Sequence, residues 1–88
     1  MEFEWDDAKH AANRAKHGLS LAEAKRLDWA YGVNVVDERY AYGEVRVTRF
    51  APLDGRLHVC VFTDRNGCLR IISLRKANQR EIRDHGTP

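Results

Sequence analysis

The second half of the chain alternates apolar and polar residues with a period of two, which is typical of β-strands that bury one face. This alternation predicts four strands, at residues 33–37, 44–50, 57–63 and 69–74. Asp54-Gly55 and Asn66-Gly67 separate the last three strands, and both dipeptides suit the positive φ angles of two-residue hairpin turns. We therefore expect an antiparallel meander in this half.

The first half of the chain begins with a short alternating segment, residues 3–5, which predicts an edge strand. Asp6 is suited to cap a helix over residues 7–17, and Gly18 suits the position just after the end of that helix. Alanines spaced along this segment give the predicted helix a face of small residues.

Two further helices are predicted from capping signals. Ser20 and Glu23 have the spacing of a capping box, which predicts a second helix that ends near residues 28–29. Asn78 and Glu81 have the same spacing and predict a short C-terminal helix. The expected fold is an α+β domain in the order β-α-α-β-β-β-β-α, with two N-terminal helices, an antiparallel β-meander and a short C-terminal helix.

The two predicted turns also fix the register of the last three strands. Counting back from them places Arg46 beside Thr63 and Thr63 beside Arg70, all on one face. Like charges that converge on a sheet are unfavourable unless an anion or a carboxylate joins them. Glu44 is one candidate for that group, and a nucleic-acid phosphate is another. The alternative is that these arginines form ordinary surface pairs or extend into solvent.

On the opposite face, the same count places His58 opposite Arg75 and Cys60 opposite Ser73. Cys60 and Cys68 are then too far apart for a disulfide, and their spacing does not suit a metal site.

Length and charge narrow the class of protein. The chain has 88 residues, enough for one domain with one core, and no apolar run approaches the length of a membrane span, so a cytoplasmic protein is expected. Residues 1–44 carry six Lys/Arg and nine Asp/Glu, whereas residues 45–88 carry nine and four. A basic C-terminal half is consistent with a polyanionic partner, although a mixed solvated surface has the same composition.

A series of motifs runs through most of the chain. In order, they are Phe3-Glu4-Trp5-Asp6, Lys9…Asn13…Lys16-His17-Gly18, Glu44-x-Arg46, Arg70-Ile71-Ile72-Ser73-x-Arg75-Lys76-Ala77 and Glu81. In this order and with these gaps, the chain resembles the BrnT toxin family from Phe3 to about His85.

The resemblance implies a small bacterial ribonuclease toxin with a fold similar to the RelE/ParE group, in a single RelE-like domain over residues 1–88. It also implies a BrnA-like antitoxin that covers the toxin and represses their shared operon, so that operator DNA is contacted only through the antitoxin. Three positions depart from the family pattern: Tyr40 stands at a usual histidine, Ala51 at a usual glycine and His85 at a usual tyrosine.

RNA can be cleaved without a metal when its 2′-hydroxyl attacks the adjacent phosphate. This reaction needs a proton acceptor, a proton donor and cations that stabilise the developing negative charge. Arginine suits the last role because its planar fork matches two phosphate oxygens. The candidate catalytic residues are His17, Glu44, Arg46, Arg70 and Arg75; the candidate RNA or phosphate contacts are Lys16, Lys76, Arg49 and Tyr42; His58 and His85 are further acid or base candidates.

Some of these assignments have alternatives. His17 can act as acid or base, or it can stabilise the end of its helix. Glu44 can act as a base, although we favour a role in orienting Arg46. No metal or other cofactor is expected, because the histidines lack H-x-x-x-H spacing and form no cluster with Cys or Asp.

The leading hypothesis is therefore a metal-independent endoribonuclease toxin that inhibits translation. One alternative is a non-catalytic module that binds nucleic acid or an acidic protein segment. Another is a toxin that has lost its activity and acts only within the antitoxin complex.

Overall fold

The computed structural model describes residues 1–41 and 44–86, with only the backbone described for residues 37–41. The elements, in chain order, are strand β1 (Glu2–Trp5), helix α1 (Asp7–His17), a 3₁₀ segment (Leu21–Arg26), strands β2 (Val33–Ala41), β3 (Glu44–Leu53), β4 (Arg56–Arg65) and β5 (Cys68–Lys76), and helix α2 (Gln79–His85).

The five strands form one mixed sheet in the order β1-β5-β4-β3-β2. Strands β2 to β5 pair antiparallel through successive neighbours, whereas β1 pairs parallel with β5. The predicted fold class is therefore wrong. The sheet is mixed and not a purely antiparallel meander, because the first strand of the chain pairs parallel with the last strand. Phe3 and Trp5 pack against the core from this position, which gives the parallel pairing its apolar support.

The predicted second N-terminal helix is also wrong. Residues Leu21–Arg26 form a 3₁₀ segment, and the Ser20 side chain makes no capping hydrogen bond. Leu21, Ala24 and Leu27 are all buried. Their spacing of three residues matches the period of a 3₁₀ helix, so this geometry turns all three toward the sheet.

Both hairpin turns and both remaining helix caps are confirmed. The turn residues adopt the positive φ angles that the Asp-Gly and Asn-Gly pairs predict. Asp6 accepts hydrogen bonds from the first turn of α1, and Gly18 follows its end with φ of 73°. Asn78 and Glu81 form the predicted capping box of α2.

A β-bulge changes the predicted register of β5. Phe62 pairs with Ile71 but Val61 pairs with Ser73, so Ile72 is the extra residue. Beyond it, Cys60 lies opposite Leu74 instead of the predicted Ser73. The bulge turns Leu74, which is fully buried, into the core, where an unshifted register would have placed the serine hydroxyl.

The same shift places His58 opposite Lys76 instead of the predicted Arg75. Arg75 now pairs with Val59, on the face opposite the main core. Cys60 and Cys68 are both free thiols, as predicted.

The sheet has two unlike faces. The core face carries the buried side chains that pack against the 3₁₀ segment, including Ala51, Cys60, Phe62, Ile71 and Leu74. The second face holds a smaller apolar cluster at one end, where His85 of α2 stacks on Phe50. The other end of the second face carries charged side chains from three strands and is the region described next.

Candidate active site

Cations from four separate elements line one depression on the second face. Arg46 comes from β3, Arg65 from β4, Arg70 from β5 and Lys9 from α1, and the depression has a volume of about 140 Å³. Thr63 of β4 lies between the two arginine strands, and its hydroxyl donates a hydrogen bond to the Val45 carbonyl at 2.9 Å. The structure thus brings Arg46 and Arg70 together around Thr63, as strand pairing predicted.

Two carboxylates border this arginine depression. Glu44 accepts hydrogen bonds from Arg65, at 2.6 Å from Nη2 and 3.3 Å from Nε, and these bonds lower the pKa of Glu44. A carboxylate with a lowered pKa is a weaker proton acceptor. Glu4 of β1 lies 3.7 Å from Arg70 and 3.8 Å from Arg65. Glu44 therefore fits a positioning role better than that of general base, but the arginine that it holds is Arg65.

A second depression, of about 270 Å³, adjoins the arginine depression along α1. It is lined by Lys9, Ala12, Asn13, Lys16, His17, Ile72 and Ser73. Lys9 and Ile72 line both depressions, so the two depressions are adjacent, and we call the two together the groove. His17 and Lys16, both predicted from the sequence, thus lie in the same groove as Arg46 and Arg70.

Asn13 fixes α1 in this place. Beyond the end of β1, its amide nitrogen donates to the Leu74 carbonyl at 2.8 Å, and its oxygen accepts from the Leu74 N–H at 3.1 Å. The amide nitrogen also donates to the Leu19 carbonyl at 2.7 Å. Asn13 therefore takes the place of a strand partner along the free edge of β5, and α1 presents Lys9 and Lys16 beside that edge.

Arg75 lies outside the groove. It pairs with Val59, four positions along β4 from Thr63, which places it about 13 Å from the arginine depression. Its guanidinium donates to both oxygens of Glu81, at 2.7 and 2.8 Å, and this contact lowers the pKa of Glu81 to about 2. Lys76 is exposed one residue further on.

Arg49 lies on the core face and is buried, whereas the sequence suggested a phosphate contact. Its guanidinium donates to the carbonyls of Asp28, Trp29 and Tyr31, at 3.2, 2.8 and 3.1 Å, and to the side chain of Asn34 at 2.9 Å. Burial lowers the pKa of Arg49. These contacts tie the loop before β2 to the sheet and leave the side chain away from the groove.

The other candidate histidines also lie elsewhere. His58 is buried, with Nδ1 2.7 Å from the Arg56 carbonyl, and the His85 ring stacks on Phe50 with a centroid distance of 3.9 Å. Tyr42 and the Tyr40 side chain lie outside the described residues, so their predicted roles stay predictions.

Two charged residues that line the groove, Lys9 and Arg65, were absent from the sequence-based site, as was Glu4 at its border. Lys9 could have been found, because its spacing of four from Asn13 and seven from Lys16 puts all three on one helix face. Glu4 and Arg65 had no such signal, since Glu4 reaches the groove only through the parallel pairing of β1 with β5.

Within the described part of the chain, no group of three or more His, Cys, Asp or Glu side chains comes together as potential metal ligands. Among residues 1–41 and 44–86, no helix has the length and apolar character needed to cross a membrane.

Comparison with known proteins identifies the family. The sequence model of a family described as the ribonuclease toxin BrnT of type II toxin–antitoxin systems matches residues 5–81, a range that contains every residue lining the groove. No curated protein matches the chain. The chain therefore belongs to the BrnT family of ribonuclease toxins of type II toxin–antitoxin systems, whose partner is an antitoxin protein.

Proposed function

We propose that this ribonuclease toxin is a metal-independent endoribonuclease and that the groove is its active site. The observation that carries the proposal is the convergence of Arg46, Arg70 and Lys9, from two strands and a helix, on one depression. Cations gathered from separate elements are what a phosphate with developing negative charge requires. The arginines supply directional donors, and the lysine supplies a mobile charge.

In the proposed reaction, the 2′-oxygen of one nucleotide attacks its own 3′-phosphate. The new P–O2′ bond forms as the P–O5′ bond to the next nucleotide breaks, which leaves a 2′,3′-cyclic phosphate and a free 5′-hydroxyl. One group takes the proton from the 2′-hydroxyl, and another gives a proton to the departing O5′. Arg46 and Arg70 hold the non-bridging oxygens and stabilise the charge that they gain in the transition state.

His17 is the proposed proton-transfer residue. Among the groove residues that the structure describes, it is the one with an imidazole ring, the side chain that most often serves as a general acid or base. Glu44 holds Arg65 beside the phosphate site and acts through that contact.

The proposed biological setting is the cytoplasm, where cleavage of RNA reduces translation. The family gives the partner as an antitoxin protein. We propose that this antitoxin is BrnA-like and that it carries the contacts with operator DNA.

The test uses the purified chain, labelled single-stranded RNA and excess EDTA. Cleavage by the unaltered chain is expected, with 2′,3′-cyclic phosphate ends, and none is expected when 2′-O-methyl groups block the nucleophile. Arg46→Ala and Arg70→Ala should each lower the cleavage rate by about 10²–10³-fold, the usual cost of removing a preorganised donor.

Arg83→Ala is the matched control, because Arg83 is an exposed arginine on α2, outside the groove. Its rate should stay near that of the unaltered chain, and circular dichroism should show that all three variants fold. Cleavage that EDTA abolishes and Mg²⁺ restores would contradict the proposal, as would cleavage of RNA blocked with 2′-O-methyl groups.

A further inference from the structure

The second depression of the groove is not needed to hold the phosphate that is cleaved. The arginine depression is already lined by four cationic side chains, those of Lys9, Arg46, Arg65 and Arg70. The second depression is larger and extends along α1 from Lys9 to His17. Lys9 and Lys16 are seven residues apart, so their backbone positions differ by about 10 Å along the helix axis. The groove is therefore long enough to follow an RNA backbone past the cleaved linkage.

The floor of this depression is apolar. Ala12 and Ile72 supply its hydrocarbon surface, and the bulge in β5 places Ile72 at the junction with the arginine depression. A ribose or an unstacked base can contact such a surface, whereas a paired base in a duplex cannot reach it. This arrangement favours single-stranded RNA.

The groups that could read a base here are few. Asn13 uses both amide hydrogens on the Leu19 and Leu74 carbonyls, and its oxygen already accepts from the Leu74 N–H. Among the described residues that line the depression, Ser73 and His17 supply the remaining neutral polar side-chain groups. A pocket with an apolar floor and so few donors and acceptors discriminates weakly between bases.

Lys16 supplies the charge at the far end. It lies on the same face of α1 as Lys9, and neither lysine has an ion pair with any side chain that the structure describes. An unpaired ammonium group beside an apolar floor is suited to a phosphate that is next along the strand.

We infer that the second depression is a subsite for the nucleotide adjacent to the cleaved linkage, in which Lys16 contacts the flanking phosphate and Ala12 and Ile72 contact the ribose or base with little base preference. The inference rests on the proposed function, since it extends the same groove. The substrate is then single-stranded RNA with at least one more phosphate beside the one that is cleaved.

The first test measures binding apart from cleavage, with a 2′-O-methyl hexanucleotide that lacks the attacking hydroxyl. Lys16→Ala should weaken binding by about three- to tenfold. The dependence of log affinity on log salt should also flatten by about 0.7, the contribution of one single-strand phosphate. Arg14→Ala is the matched control, because it removes one positive charge from the same helix in a different depression, beside Gly18 and Glu23. It should change affinity by less than about twofold.

The second test locates the contact. Single methylphosphonate linkages, which carry no charge, are placed at each position of the hexanucleotide in turn. The unaltered chain should lose affinity at the linkage in the arginine depression and at one flanking linkage, and Lys16→Ala should become insensitive at the flanking linkage alone. Equal losses for Lys16→Ala and Arg14→Ala, or an effect of Lys16→Ala spread over all linkages, would overturn the subsite. If the unaltered chain binds in this pattern but leaves unblocked RNA intact, the proposed reaction fails and the subsite stands.

Discussion

At the scale of single residues, the environment of each arginine decides what it can do. Arg49 donates to backbone carbonyls and is buried, and Arg75 donates to both oxygens of Glu81. Arg70 faces the groove, with Glu4 at 3.7 Å as a loose partner. The same guanidinium group thus serves as a loop clamp, a helix anchor and a proposed phosphate ligand. The difference comes from its partners, since the group itself stays charged in all three settings.

The ion pair between Arg75 and Glu81 gives a prediction about pH. Glu81→Gln keeps the capping geometry of α2 but removes the charge, so we expect a loss of about 1 kcal/mol in the free energy of unfolding at pH 7. The Arg75 side chain is 37% exposed, and solvent screening keeps the value this small. Because Arg75 lowers the pKa of Glu81 to about 2, the stabilisation is complete above the ordinary glutamate pKa and is lost as the pH falls toward 2.

Urea unfolding of both proteins from pH 7 to pH 3 measures this difference. The gap between the two should stay constant down to about pH 5 and narrow below it. Asp84→Asn is the matched control on the same helix, since Asp84 lies 4.0 Å from an exposed Arg80 and should contribute much less. A gap that does not change with pH would show that the loss in Glu81→Gln does not come from the charge of the carboxylate.

Strand periodicity was enough to predict that Arg46 and Arg70 lie together. The register of β3 with β4 is as predicted, and so is the register of β4 with β5 between the Asn66-Gly67 turn and the bulge. Periodicity failed for Arg75, which lies beyond the bulge. It could not assign Arg49, because the carbonyls that it binds belong to a loop without a repeating pattern. Alternation gives the face of a strand, but the partner of a long side chain depends on tertiary packing.

At the scale of elements, helix α1 lies beside the edge of β5 although it has no large apolar residues to bury there. Its apolar residues are alanines, and Asn13 is its buried residue. The helix has little hydrophobic burial of its own, and the hydrogen bonds of Asn13 to Leu74 and Leu19 join it to β5 and to the segment that follows it. A polar group in this position is stabilising only because all of these bonds are made.

Asn13→Ala should lower the free energy of unfolding by about 2–4 kcal/mol, because it leaves the Leu74 N–H and carbonyl without their partner. Asn13→Asp should cost at least as much at pH 7, since a carboxylate can accept from the Leu74 N–H but would face two carbonyls. Urea unfolding measures both. His17→Ala, on the same helix but without these bonds, is the control and should be nearly neutral. An Asn13→Ala variant as stable as the parent would mean that α1 is held by other contacts.

The errors in the predicted elements have identifiable causes. Ser20 and Glu23 have the spacing of a capping box, but burial of every third residue, Leu21, Ala24 and Leu27, favours a 3₁₀ segment. The bulge at Ile72 is equally hidden in the sequence, because an inserted residue in an apolar run leaves the alternation looking intact. In both cases packing against the sheet overrides a local signal.

At the scale of the whole molecule, the important feature is the pairing of β1 with β5. Glu2 lies beside Cys68 and Trp5 beside Ile71, so the first and the last strand of the chain are neighbours in one sheet. A contact across more than sixty residues leaves no trace in local periodicity, which is why the meander was predicted without its parallel edge. This pairing also carries Glu4 to the rim of the groove, between Arg70 and Arg65.

If the groove binds RNA as proposed, Glu4 competes with RNA phosphate for its cations. Its distances of 3.7 and 3.8 Å and its exposure of 39% indicate a weak pair, so Glu4→Gln should leave stability nearly unchanged. We expect Glu4→Gln to bind the 2′-O-methyl hexanucleotide about two- to threefold more tightly at low salt, with the gain shrinking above about 0.3 M salt. Glu23→Gln, which makes the same charge change on the 3₁₀ segment against the core face, is the control and should show no such gain. Fluorescence anisotropy across a salt series measures both. Weaker binding by Glu4→Gln would instead mean that Glu4 orients Arg70 for the phosphate, because loss of an orienting partner lowers affinity while loss of a competitor raises it.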